Sequence, residues 1–304
     1  MSLDALTTCL LDPASKLKGQ VEPLTLGGGF GLYLKQRHLE SQEGLFTIIP
    51  GELWPPARAT EDLDLLLATE VVVSVDQMRW ARKALDDLDF VPSVEFMQFE
   101  KQTPHGRVKV DLLTGPVTPA ERRAEARIKP PRVRPRQKVE LHAYLTPEAI
   151  GIEQGATMLP LSGRTTDGEG VTTEILIPGA FTFLLMKLHA FKDRIDDPRK
   201  QLARHHALDL YRIVAMLTKE EFDQVRELLV QFENEPAVQA ARNVAAEHFM
   251  QFDALGPLRI RAYVRDHLAG RFEPDMEAFL AAMEDTFVRS AEHTSELQSQ
   301  NTPS

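Results

Sequence analysis

Arg58-Ala-Thr-Glu-Asp-Leu-Asp-Leu-Leu-Leu67 places two carboxylates, Asp62 and Asp64, one residue apart inside an apolar run. Successive side chains of a strand point to opposite faces. Asp62 and Asp64 therefore share one face while Leu63, Leu65 and Leu67 share the other and fill a core. A carboxylate pair of this kind can hold a divalent cation.

Upstream, Leu24-Thr-Leu26 is a short apolar lead into Gly27-Gly28-Gly29, and Phe30, Leu32, Tyr33 and Leu34 open a helix predicted to reach His38. Glycines at a helix start let backbone N–H groups approach an anion closely, and the helix N-terminus favours negative charge there. The same glycines also fit an ordinary flexible turn. They are not a Walker loop, because no Gly-Lys-Ser/Thr follows. From Ser41 to Ala59 the chain reads as loop, broken by Pro50-Gly51 and Pro55-Pro56.

Downstream, the β-branched Val71-Val-Val-Ser-Val75 predicts a second strand. Asp76 is then expected to cap a helix to Leu88 with Met78, Ala81, Leu85 and Leu88 on its apolar stripe. Val94–Glu100 alternates, Thr103–Gly106 turns and Arg107–Leu113 returns, which predicts a hairpin. On the returning strand Val108, Val110 and Leu112 take one face and Lys109 and Asp111 the other. If that strand neighbours the first, Asp111 joins Asp62 and Asp64 as a third carboxylate. The alternative is a solvated strand face.

The interval Glu121–Lys138 holds eight Lys or Arg residues with Pro130, Pro131 and Pro135, against Glu121 and Glu125 alone. It fits a solvated, extended linker, the favoured reading, or a track for a nucleic-acid backbone. Short β-like pieces, including Thr173–Ile177, are expected between Glu140 and Pro178, with a polar loop at Gly163–Gly170. The rest is helical by periodicity: the run around Leu184 to Ile195, then Leu202–Leu217, Lys219–Glu233, Ala237–Phe252, Leu258–Leu268 and Asp275–Phe287. Thr218 and Glu221 fit a capping box. On the first of these helices Lys187 and Arg194 flank the apolar stripe, where they can reach a cleft edge or snorkel along the core boundary. Asp209 holds the same flank of its helix. His205 and His206 are expected to point in different directions, which disfavours a zinc site.

The chain has 304 residues, 43% of them hydrophobic, enough for two ordinary cores, and two domains are expected, 1–180 and 181–288. A net charge of −10 argues against a nucleic-acid binder over its whole surface, though not against a local basic patch. One cysteine, Cys9, excludes an internal disulfide. With no long apolar span, the reading is a soluble, cytoplasmic protein with no membrane partner. Arg289-Ser-Ala-Glu-His-Thr-Ser-Glu-Leu-Gln-Ser299 closely resembles a translated sequencing adapter, so 289–304 is expected to be a non-native tail outside the fold.

Three features together, a glycine segment opening a helix, Arg-x-Thr-x-Asp-Leu-Asp before apolar residues, and a Val-Asp strand, resemble the nucleotidyltransferase superfamily that includes DNA polymerase beta. The stretch Thr182-Phe-Leu-Leu-Met-Lys187-Leu-His-Ala-Phe-Lys-Asp-Arg194, with Arg199-Lys200 and His206-Ala-Leu-Asp209-Leu-Tyr211, is similar to motifs of AbiEii/AbiGii-type toxins. The resemblance spans about Leu24 to Leu217. It implies an α+β fold, a nucleotidyltransferase-type mixed β-sheet flanked by helices with a C-terminal helical domain. It further implies that Gly27, Gly28 and Gly29 cradle the phosphates of an NTP donor, with Arg58 nearby. Asp62 and Asp64 would bind Mg2+ or Mn2+, and Asp111 would complete that metal site or activate the acceptor hydroxyl. Lys187 and Arg194 would contact the triphosphate, and Asp209 would help orient or activate. This chain departs from the family in carrying Gly29 where Ser or Thr usually follows the second glycine. The implied activity is metal-dependent transfer of a nucleoside monophosphate to an acceptor hydroxyl, with RNA one candidate acceptor. The implied setting is a toxin with a cognate antitoxin or a phage-defence system. A small-molecule nucleotidyltransferase of the antibiotic-modifying kind and a non-catalytic nucleotide-binding module are the alternatives.

Overall fold

The computed structural model describes residues 3–21, 24–58, 62–104, 106–118 and 120–289. Of the expected non-native tail 289–304, Arg289 ends the helical turn Asp285–Arg289, and the rest lies outside the described residues. Two compact units divide the chain, Met1–Lys35 with Arg58–Pro178, and Gln36–Ala57 with Gly179–Ser304.

In the first unit the elements are α1 (Leu3–Leu17), β1 (Thr25–Leu26), the start of α2 (Gly28–Glu40), β2 (Asp62–Leu66), α3 (Thr69–Val73), α4 (Val75–Asp87), β3 (Val91–Val94), β4 (Gln98–Thr103) and β5 (Gly106–Thr114). After them come α5 (Ala120–Glu125), β6 (Ala126–Lys129), β7 (Arg132–Pro135), β8 (Ala143–Leu145), β9 (Thr157–Arg164) and β10 (Gly170–Ile177). One mixed sheet runs in the order β6-β7-β8-β5-β2-β1-β10-β9, with β4 on β5 and β3 on β4. The α+β class expected from the sequence is the class observed.

Alternation places the central strands. In β2, Leu63 and Leu65 are buried while Asp62 and Asp64 are half-exposed; in β5, Val108, Val110 and Leu112 are buried and Lys109 and Asp111 are not. Strands β2 and β5 are neighbours, as the sequence reading required for its third carboxylate, and they run parallel. The hairpin is also present, closed by Thr103 opposite Gly106, although its first strand starts at Gln98 and Val91–Val94 forms a separate strand.

Several local expectations are corrected. The β-branched Val71–Val75 run is not a strand: Val71, Val72 and Val73 lie in the short helix α3 and are all buried. Burial outweighs their modest bias against helix. Ser74, not Asp76, caps α4, its hydroxyl accepting from Gln77 N–H at 3.3 Å. The basic 121–138 interval is not an extended linker. It folds as α5 followed by the β6–β7 hairpin, because Arg132-Val-Arg-Pro135 alternates and Val133 and Pro135 are buried. The expected polar loop at Gly163–Gly170 is shorter, with Gly163 and Arg164 in β9 and Gly170 in β10.

In the second unit every element named after Gly179 is helical: α6 (Ala180–Arg194), α7 (Arg204–Ala215), α8 (Lys219–Gln231), α9 (Pro236–His248), α10 (Leu255–Tyr263) and α11 (Met276–Glu284). Helix α7 is buried from His206 to Ala215 and packs against α6, α10 and α11. Thr218 and Glu221 make the expected capping box on α8. No helix of the described residues is long and apolar enough to cross a membrane.

Candidate nucleotide and metal site

Three elements meet around Asp64. Its backbone carbonyl accepts from Gly27 N–H at 2.8 Å, tying the glycine turn to the strand of the carboxylate pair. Gly28 takes φ +61, and a Cβ built there would collide with the Asp64 carboxylate. Glycine is thus required at 28 twice over, by the left-handed backbone and by the close approach. Helix α2 begins at this residue, so its unpaired N-terminal N–H groups and its positive dipole end lie beside Asp64. Gly27 is tightly fitted too: a Cβ would come 3.1 Å from the Leu66 side chain.

Parallel pairing of β2 with β5 sets Asp64 opposite Asp111 and Asp62 opposite Lys109. Asp111 accepts from Gln98 Nε2 at 2.6 Å across the β4–β5 ladder. Burial raises its carboxyl above the ordinary aspartate range, the charge of Asp62 adds to this, and the Gln98 hydrogen bond opposes it. Sequence reasoning passed over Gln98 and Lys109 as site residues. Gln98 was accessible to it: in a hairpin closed by Thr103 and Gly106, simple register counting sets residue 98 opposite 111.

The donor set is all carboxylate oxygen, which suits Mg2+ or Mn2+ rather than a softer metal. Among the described residues no group of three His, Cys, Asp or Glu side chains gathers closely enough to hold a metal ion. Mg2+ typically needs only one or two carboxylates, the remaining positions going to substrate phosphates and water. Asp62 and Asp64 beside an anion-favouring helix start fit that pattern. Arg58, half-buried, precedes Asp62 by four residues in the sequence.

The three residues assigned on the helices lie in the second unit. Lys187 is buried and donates to Asp209 Oδ2 at 2.8 Å; Arg212 donates to Asp209 Oδ1 at 3.1 Å and to the Pro56 carbonyl at 2.8 Å. Lys187 is thus the partner of a buried carboxylate, not a cation standing at an open flank. Arg194 donates to His206 Nε2 at 2.6 Å. Burial holds that imidazole far below its ordinary range, with the nearby charges of Lys187 and His205 acting in the same direction. His205 and His206 do not diverge: their rings lie 3.9 Å apart, centroid to centroid. Gln201, Leu202 and Ala203 all take positive φ immediately before α7, whose first turn carries the two rings.

No family model and no curated protein matches the chain. Among solved structures it is similar to the crystal structure of an antigenic nucleotidyltransferase-like protein from Paracoccidioides brasiliensis, at 14% identity and a TM-score of 0.33 over 92% of each chain.

Proposed function

We propose that the protein is a metal-dependent nucleotidyltransferase. The observation that carries this reading is the closure of Gly28 at the start of α2 onto Asp64, with Asp111 as the register partner of that aspartate. Backbone N–H groups of Gly28 and Gly29 would receive the phosphates of an NTP, and Asp62 and Asp64 would hold Mg2+ or Mn2+. The cation would neutralise charge on the phosphates and on the leaving group.

The acceptor hydroxyl gives its proton to Asp111, the register partner of Asp64, and Gln98 holds that carboxylate in place. The acceptor oxygen bonds to the α-phosphorus as the bond from that phosphorus to the bridging oxygen breaks. Pyrophosphate leaves with the bonding electrons. Lys187 and Asp209 act as a buried pair that fixes α6 to α7. A toxin role with a cognate antitoxin belongs to the same proposal and rests on the motif resemblance alone.

Equilibrium binding of each NTP with and without Mg2+ tests the assignment. The native protein should bind NTP more tightly with the metal, and a double Asp62→Ala, Asp64→Ala variant should lose that increment while staying folded. An increment equal in both proteins would overturn it.

A further inference from the structure

Strand register carries the face that presents Asp64 and Asp111 onward across the sheet. Leu113, two residues beyond Asp111 and on its face, pairs with Tyr144 of β8; Tyr144 pairs with Arg132 of β7; Arg132 pairs with Lys129 of β6. Arg134 pairs with Arg127 on the same face. Burial raises the Tyr144 phenol, and the charge of Asp111 adds to it, as expected for neighbours on one face.

Cation opposite cation at both Arg127–Arg134 and Lys129–Arg132 is an arrangement that opposes hairpin formation. The chain offers little to relieve it. Arg132 pairs with Glu95 at 3.1 Å and Arg134 donates to the carbonyls of Pro135, Arg136 and Gln137, but among the described residues no carboxylate pairs with Arg127 or Lys129, and both are exposed. In a chain of net charge −10, this concentration on one terminal strand pair calls for an outside anion.

We infer that the β6–β7 hairpin binds the phosphodiester backbone of a single-stranded nucleic acid, leading its end along the sheet face toward Asp111. Phosphate contacts need positive charge and reach rather than a fixed hydrogen-bond code, which a two-stranded ribbon of Arg and Lys supplies. From β5 to β6 is three strand spacings, about 14 Å, so a strand held on the hairpin can place a terminal hydroxyl at the carboxylates. The Tyr144 ring stands on the intervening strand, where an unpaired base can stack. This inference rests on the nucleotidyltransferase reading for its direction, since it makes the bound strand the acceptor.

The test is fluorescence anisotropy of a labelled single-stranded RNA and a DNA of the same sequence, without NTP or metal, across a KCl series. Proteins compared are the native chain, Arg127→Ala/Lys129→Ala, and the charge-preserving Arg127→Lys. Removing two phosphate contacts should lower the slope of log affinity against log salt by about 1.4, and Arg127→Lys should keep the native slope. Binding of RNA and DNA alike marks backbone recognition, and preference for RNA marks added 2′-hydroxyl contacts; either supports the inference. An unchanged slope in the double variant overturns it, as does a parallel assay in which the native protein binds anionic lipid vesicles and the double variant loses that binding while keeping native oligonucleotide affinity. Oligonucleotide binding through the hairpin with no nucleotide transfer would sink the enzyme reading instead, so the two failures are distinguishable.

Discussion

Gly28 lies so close to Asp64 that no side chain can stand between the start of α2 and that carboxylate. The backbone there is left-handed, and the approach leaves the Asp64 oxygens beside the helix N-terminus.

Gly28→Ala is therefore expected to act twice. The left-handed conformation costs an alanine about 1–2 kcal/mol, and the methyl group must push Asp64 aside. Urea denaturation should report the first effect. Metal-stimulated NTP binding should report the second, falling well beyond what the stability change alone explains. Wild-type binding in the variant would show that Asp64 need not stand against the turn.

The buried network of the second unit predicts a stability effect. Asp209 takes donors from both Lys187 and Arg212, so Asp209→Ala leaves two buried cations without their carboxylate. The expected loss is about 3–5 kcal/mol, measured by chemical denaturation. A loss below about 1 kcal/mol would mean that these charges find water or other partners.

How much of this was legible in the sequence depends on what decided each residue's place. The face shared by Asp62 and Asp64, and the arrival of Asp111 beside them, follow from strand alternation and a hairpin whose turn residues are visible. The β6–β7 hairpin was hidden because its cations and prolines read as a solvated linker, although Arg132-Val-Arg-Pro135 does alternate. Helix α3 was hidden for the opposite reason. Its valines are what a strand prefers locally, and only tertiary burial settles them otherwise. The burial of Lys187 was invisible because a charged residue on a helix flank gives no sign that a carboxylate 22 positions later will meet it.

His206 predicts a pH dependence. Burial depresses its pKa, so the unfolded chain binds a proton there that the folded chain refuses. Stability from this group is fully present above the unfolded value of about 6.5 and is lost as pH falls, at about 1.4 kcal/mol per pH unit below it. Denaturation at pH 7.5 and 5.5 should show the native protein losing more stability than His206→Gln. Equal losses would mean that His206 becomes protonated inside the fold.

The central claim is tested most directly by incubating NTPs labelled at the α-phosphate with magnesium and a total cell extract, using the native protein and a folded Asp64→Ala variant side by side. The account predicts covalent labelling of an acceptor by the native protein alone. Equal labelling by the Asp64→Ala variant, or none by the native protein, would contradict it.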